Sequence, residues 1–63
     1  MTDRRVNRTK RQIKKALINL LSKKDLSRIT VSEITELADI GRGTFYTHYQ
    51  DIYDLYHSLI NEL

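Results

Sequence analysis

The residues best suited to chemistry lie in one stretch, DIGRGTFYTHY, residues 39–49. It holds two glycines, two threonines and three aromatics, all poor helix formers. No acid occurs from Ile40 to Gln50. Gly41 and Gly43 carry no side chain, so backbone N–H groups beside them can come close to a phosphate. The missing carboxylates remove repulsion from a polyanion. Covalent and metal chemistry find no comparable support. Cysteine is absent, and His48 and His57 have no carboxylate pattern suited to a metal. Asp51 and Asp54 have the spacing of a helix cap and first turn rather than of a catalytic pair. There is no nucleophile–base pair and no phosphate-cradling glycine loop ahead of a helix. The sequence therefore predicts a non-enzyme with no cofactor and no metal.

The elements that must position this stretch can be read from periodicity and caps. Ile13, Ala16, Leu17, Leu20 and Leu21 fall at i, i+3, i+4, i+7 and i+8, which predicts a first helix from about Lys10 to Ser22 with Thr9 as its N-cap. Leu26 and Ile29 in the connector are expected to fold back onto the core. Thr30 followed by Glu33 is a capping box opening a second helix, Val31 to Ala38, whose apolar stripe is Val31, Ile34, Leu37 and Ala38. Asp39, tolerant of left-handed backbone, and Ile40, a plug between helices, form the turn. A third helix is expected from Arg42 to Tyr49, with Phe45 and Tyr49 facing inward and Tyr46 offset from them. Asp51 caps a fourth helix, in which Ile52, Leu55, Tyr56, Leu59, Ile60 and Leu63 form one stripe. His57 lies off that stripe and is expected to face solvent, with Tyr53 and Tyr56 as packing or interface residues. The stripe still runs at Leu63, so this helix is expected to lead into further chain.

Length and charge bound the rest. Sixty-three residues make one small domain. No apolar run approaches the ~18 residues of a membrane span, and the basic start is not followed by the apolar core of a secretory signal, so a cytoplasmic protein is expected. Residues 1–28 carry ten Lys/Arg against two acids, whereas residues 29–63 carry one arginine against six acids. Residues 1–8 are polar and aperiodic and are expected to be a disordered basic arm facing a polyanion.

An all-α fold follows: a three-helix bundle with the start of a fourth helix, helices 2 and 3 forming a helix-turn-helix. In that motif the second helix lies in the major groove. The segment ITVSEITELADIGRGTFYTHYQDIYDL resembles the N-terminal DNA-binding domain of the TetR family of transcriptional repressors. The resemblance covers roughly residues 9–63, and its most specific parts are Thr30–Val31, Ile34, Ile40, GTFY at 43–46, and His48–Tyr49 followed by Leu55. It implies a DNA-binding head over residues 9–50, and residues 51–63 leading to a larger helical domain, absent here, that dimerises and binds a small-molecule inducer. The implied partners are a double-stranded DNA operator and a second copy of the chain, with no membrane. Arg42, Thr44 and Thr47 would face the bases, Arg42 reading a guanine. Thr30, Gly43, Tyr46 and His48 would touch phosphates, and Phe45 and Tyr49 would be structural. Three positions depart from the family pattern: Asp39 replaces a turn glycine, Thr35 a smaller residue, and Ile52 a phosphate-contacting lysine. The arm residues Arg4, Arg5, Arg8, Lys10 and Arg11 are expected to compensate along the DNA backbone or in the minor groove.

A rival from another class is a helical protein-interaction module that pairs through the stripe of the fourth helix. The two differ in salt dependence, which phosphate contacts make steep.

Overall fold

The computed structural model describes residues 4–62, with side chains from Arg8 onward. Four helices follow one another: α1 (Arg4–Leu21), α2 (Val31–Ala38), α3 (Arg42–His48) and α4 (Ile52–Asn61), with a 3-10 turn at Leu26–Arg28 between α1 and α2. No strand occurs among the described residues.

The first helix begins at Arg4 rather than near Lys10, and it runs through Thr9, the expected cap. Residues 4–8 of the expected disordered arm are therefore helical, and residues 1–3 lie outside the described residues. Arginine is among the better helix formers, and no glycine or proline interrupts residues 1–40. Solvated turns need no apolar periodicity, so the pattern that located the helix could not reveal where it starts. Farther along, Ile13, Ala16, Leu17 and Leu20 are buried as the spacing requires, and Leu26 and Ile29 fold back onto the same core.

α2 starts on the expected capping box. Glu33 N–H donates to Thr30 Oγ1 at 3.2 Å, and Thr30 N–H donates to Glu33 Oε1 at 3.3 Å. Ile34, Thr35 and Ala38 are buried, but Leu37, expected inside, is 50% exposed. At 3.6 residues per turn Leu37 lies roughly 110° from the middle of the inward face. Thr35 takes the inward place, its hydroxyl donating to the Ser32 carbonyl at 3.0 Å. The helix ends on Asp39 in the left-handed region, φ 58° and ψ 49°. Ile40 N–H reaches back to Thr35 O at 3.0 Å and Asp39 N–H to Glu36 O at 3.3 Å. These two bonds close a Schellman turn, and Ile40 packs on the core as its accompanying apolar contact.

α3 is pinned from behind by Phe45, fully buried, and by Tyr49, which ends the helix as its C-cap one residue before the expected boundary. Asp51 Oδ1 accepts from Asp54 N–H at 2.8 Å, and Asp54 Oδ2 accepts from Gln50 N–H at 2.9 Å, fixing the start of α4. Ile52 and Leu55 are buried; Ile60 is exposed, contrary to the expected stripe, because it lies about 90° from the centre of that face. Leu63 lies outside the described residues. A Lys14–Glu62 ion pair ties α1 to the end of α4. Phe45, Ile13, Leu17, Ile34 and Leu55 are the largest fully buried side chains, and each contributes ~1.5–3 kcal/mol of burial. Every helix supplies at least one of them, so α3 is held by the whole bundle.

Candidate nucleic-acid interface

Burial divides α3 sharply. Phe45 is 0% exposed while the adjacent Tyr46 is 55% exposed. The Phe45 and Tyr46 rings meet edge to face at 5.4 Å, so the buried ring steadies the base of the exposed one. Arg42, Gly43, Thr44 and Thr47 are also exposed, and His48 is half-buried. All but one of the expected helix 3 site residues thus lie on an open, acid-free surface.

The start of this helix differs from its neighbours. Thr30 caps α2 and Asp51 caps α4, but Gly41 gives α3 no side-chain cap. The first-turn amides of a helix have no intrahelical acceptor, so those of α3 are left to water or to an external anion. Neither Gly41 nor Gly43 has a positive φ, and a Cβ built on either meets no atom within 4 Å. Neither backbone conformation nor available space therefore requires glycine at either place.

Several polar side chains already have partners. The Thr47 hydroxyl donates to Gly43 O at 2.8 Å, so its proton is already committed while its oxygen can still accept. The Thr30 hydroxyl accepts from Glu33 N–H and donates to Glu33 Oε1 at 3.3 Å. Glu33 also pairs with Lys24. The hydrogen bond from Lys24 is the main cause that holds the Glu33 carboxyl below its ordinary value; desolvation opposes it, and the Lys24 charge and the Thr30 backbone N–H and hydroxyl add to the lowering. Arg42 Nη2 donates to Ser32 Oγ across the motif, so the first turns of α2 and α3 adjoin. This contact brings the Arg42 guanidinium to the first turn of α2, beside the Thr30 cap. Ser32 had no signal in the sequence, because its partner is ten residues away and the bond depends on the angle between two helices.

The basic residues of α1 form a second surface. Arg8, Arg11 and Lys15 are exposed and fall at i, i+3 and i+7, a single stripe away from the core. Lys10 is half-buried. Arg4 and Arg5 belong to the first turn by backbone, and their side chains lie outside the described part. One shallow groove between α1 and α2 is lined by Lys15, Ala16, Ala38 and Asp39, and another by Leu20, Lys23, Glu33 and Glu36. The two helices are therefore antiparallel, and from Gln12, which lines the groove beside Asp39, α1 runs on by about 6 Å to Arg8 at 1.5 Å per residue. No acid occupies the first turn of α1 to complement its dipole. Cations there are disfavoured in isolation and favoured beside an anion.

Among the described residues no group of three His, Cys, Asp or Glu side chains could hold a metal, and no helix is long and apolar enough to cross a membrane.

The family model for bacterial regulatory proteins of the tetR family matches residues 13–59. A Bacillus subtilis (strain 168) protein named as an uncharacterized HTH-type transcriptional regulator, YxbF, is 42% identical over 59 residues, which cover 92% of this chain and 16% of that protein. The chain thus spans about one sixth of that relative's length. No solved structure gives a significant match.

Proposed function

The chain belongs to the tetR family of bacterial regulatory proteins, a family of DNA-binding transcription regulators and not of enzymes, and from that premise we propose that α3 enters the major groove of an operator and represses transcription. The observation that carries this is the split of α3 between a buried anchor, Phe45, and an exposed, acid-free face bearing Tyr46. Arg42, Thr44 and Thr47 face the bases. Arg42 offers the donor fork that suits guanine, and the Thr47 methyl suits the methyl of thymine. Gly43, Tyr46 and His48 touch phosphates, with the uncapped amides of α3 beside them. Thr30 joins them by turning its hydroxyl proton from Glu33 to a phosphate.

Arg4, Arg5 and Arg8 meet the flanking backbone as a helical projection instead of an irregular arm. Lys10 and Arg11 extend this cationic run, which makes up for Ile52, where the family pattern has a lysine. The regulator acts as a homodimer on half-sites about one helical turn apart, ~34 Å or a multiple. It works at the nucleoid in the cytoplasm, and an inducer binds outside residues 9–62.

Salt dependence of duplex binding tests the proposal. Each neutralised phosphate contributes about −0.9 to the log–log slope, so three to five cations per protomer give roughly −3 to −4.5. Affinity that is flat between low and physiological salt contradicts the proposal and favours a protein partner.

A further inference from the structure

Resting on that function, we propose that Ser32 is a positioning residue that sets how Arg42 is presented to the duplex. Arg42 is exposed and leaves α3 at its first position, where a free arginine would sample many rotamers. Its Nη2 donates instead to Ser32 Oγ, on the first turn of α2. Ser32 is half-buried, and its helix is fixed by the Thr30–Glu33 capping box and the Lys24–Glu33 ion pair. The anchor is therefore more rigid than the group it holds. Guanidinium has five N–H donors in a planar fork, and this bond uses one of them. The others remain free to meet a pair of acceptors such as guanine O6 and N7.

The proposal predicts that discrimination at one base pair depends on a hydroxyl that does not itself contact that base. Holding a rotamer-rich side chain ready before binding is worth roughly two- to tenfold in affinity. The test is selection from a randomised duplex pool by the intact protein, comparing wild type, Ser32→Ala, Ser32→Thr, Arg42→Ala and the double variant, with melting curves for each. Arg42→Ala should abolish the preference at one position of the selected site. Ser32→Ala should weaken that same position roughly two- to tenfold, leave the other positions and the melting temperature in place, and have no further effect once Arg42 is gone. Ser32→Thr keeps the hydroxyl and should restore the preference.

A Ser32→Ala variant with an unchanged selected site overturns the proposal, as does an equal loss at every position or a loss that persists without Arg42. A gain in preference overturns it too, since Ser32 would then be holding Arg42 away from DNA. If Arg42→Ala alters no position while duplex binding persists, both the Ser32 role and base reading by Arg42 fail. If no duplex is bound at any salt, the DNA-binding function itself fails.

Discussion

Gly43→Ala should strengthen the fold and weaken DNA binding, and the opposition of signs is what makes it informative. Gly43 is the second residue of α3, has no positive φ, and leaves open space where a Cβ would stand. An alanine there meets no clash and recovers part of the helix propensity that glycine forfeits, about 0.5–1 kcal/mol. For a domain of this size that raises the melting temperature by roughly 2–8 °C. Under the proposed function, the same methyl stands where a phosphate approaches the uncapped amides of α3. Losing one hydrogen bond to a charged group costs about 1.5–3 kcal/mol, or about ten- to a hundredfold in affinity per protomer. Gly41 provides the internal contrast. It has equally open space, but it is the N-cap, where alanine is much poorer than glycine. Gly41→Ala should therefore lower the melting temperature although it adds the same methyl. Circular-dichroism melting and fluorescence-anisotropy titration of a labelled duplex at fixed salt measure both effects. A Gly43→Ala variant that is more stable and binds as tightly as wild type refutes the phosphate approach. One that is less stable refutes the argument that the glycine serves a partner rather than the fold.

Three further outcomes are expected. The Tyr49 hydroxyl is buried without a hydrogen-bond partner among the described residues. Tyr49→Phe should therefore raise stability by about 1 kcal/mol, and a lower melting temperature means that the hydroxyl is satisfied. Tyr46→Phe should leave stability within about 0.5 kcal/mol, because the side chain is exposed, while duplex affinity falls about tenfold or more; unchanged affinity removes Tyr46 from the phosphate contacts. The Glu33 carboxyl titrates below its ordinary 4.5 because of Lys24, so its stabilising contribution is complete above that pH and is lost as pH falls through the lowered folded value. Glu33→Gln keeps a capping-box acceptor but not the charge, so wild type and variant should differ at neutral pH and converge in acid. A constant difference across that window contradicts the pairing.

Local chemistry in the sequence accounts for much of this fold. The Thr30–Glu33 box and the Asp51 cap fix where α2 and α4 begin, because a cap needs only residues three apart. The inward Phe45 and Tyr49 and the outward Tyr46 follow from helical spacing alone. Features that depend on neighbours were less legible. The start of α1 is hidden because Arg4 to Arg8 bear no apolar pattern, and Leu37 and Ile60 are apolar residues at the margins of their faces, where only the packed partner decides burial. The Arg42–Ser32 bond and the unpartnered Tyr49 hydroxyl arise from tertiary geometry. The Asp39 turn stands between these cases: residue type allowed the left-handed backbone, but the two bonds that close it became visible only in three dimensions.

Mapping backbone amide NMR shifts as the labelled protein is titrated with its selected duplex tests the central claim most directly. The account predicts that the largest changes fall on Arg42–His48, with a second set along Arg8, Arg11 and Lys15 and little change around Tyr53 and Ile60 on α4. Changes concentrated on α4, with residues 42–48 unmoved, would contradict it.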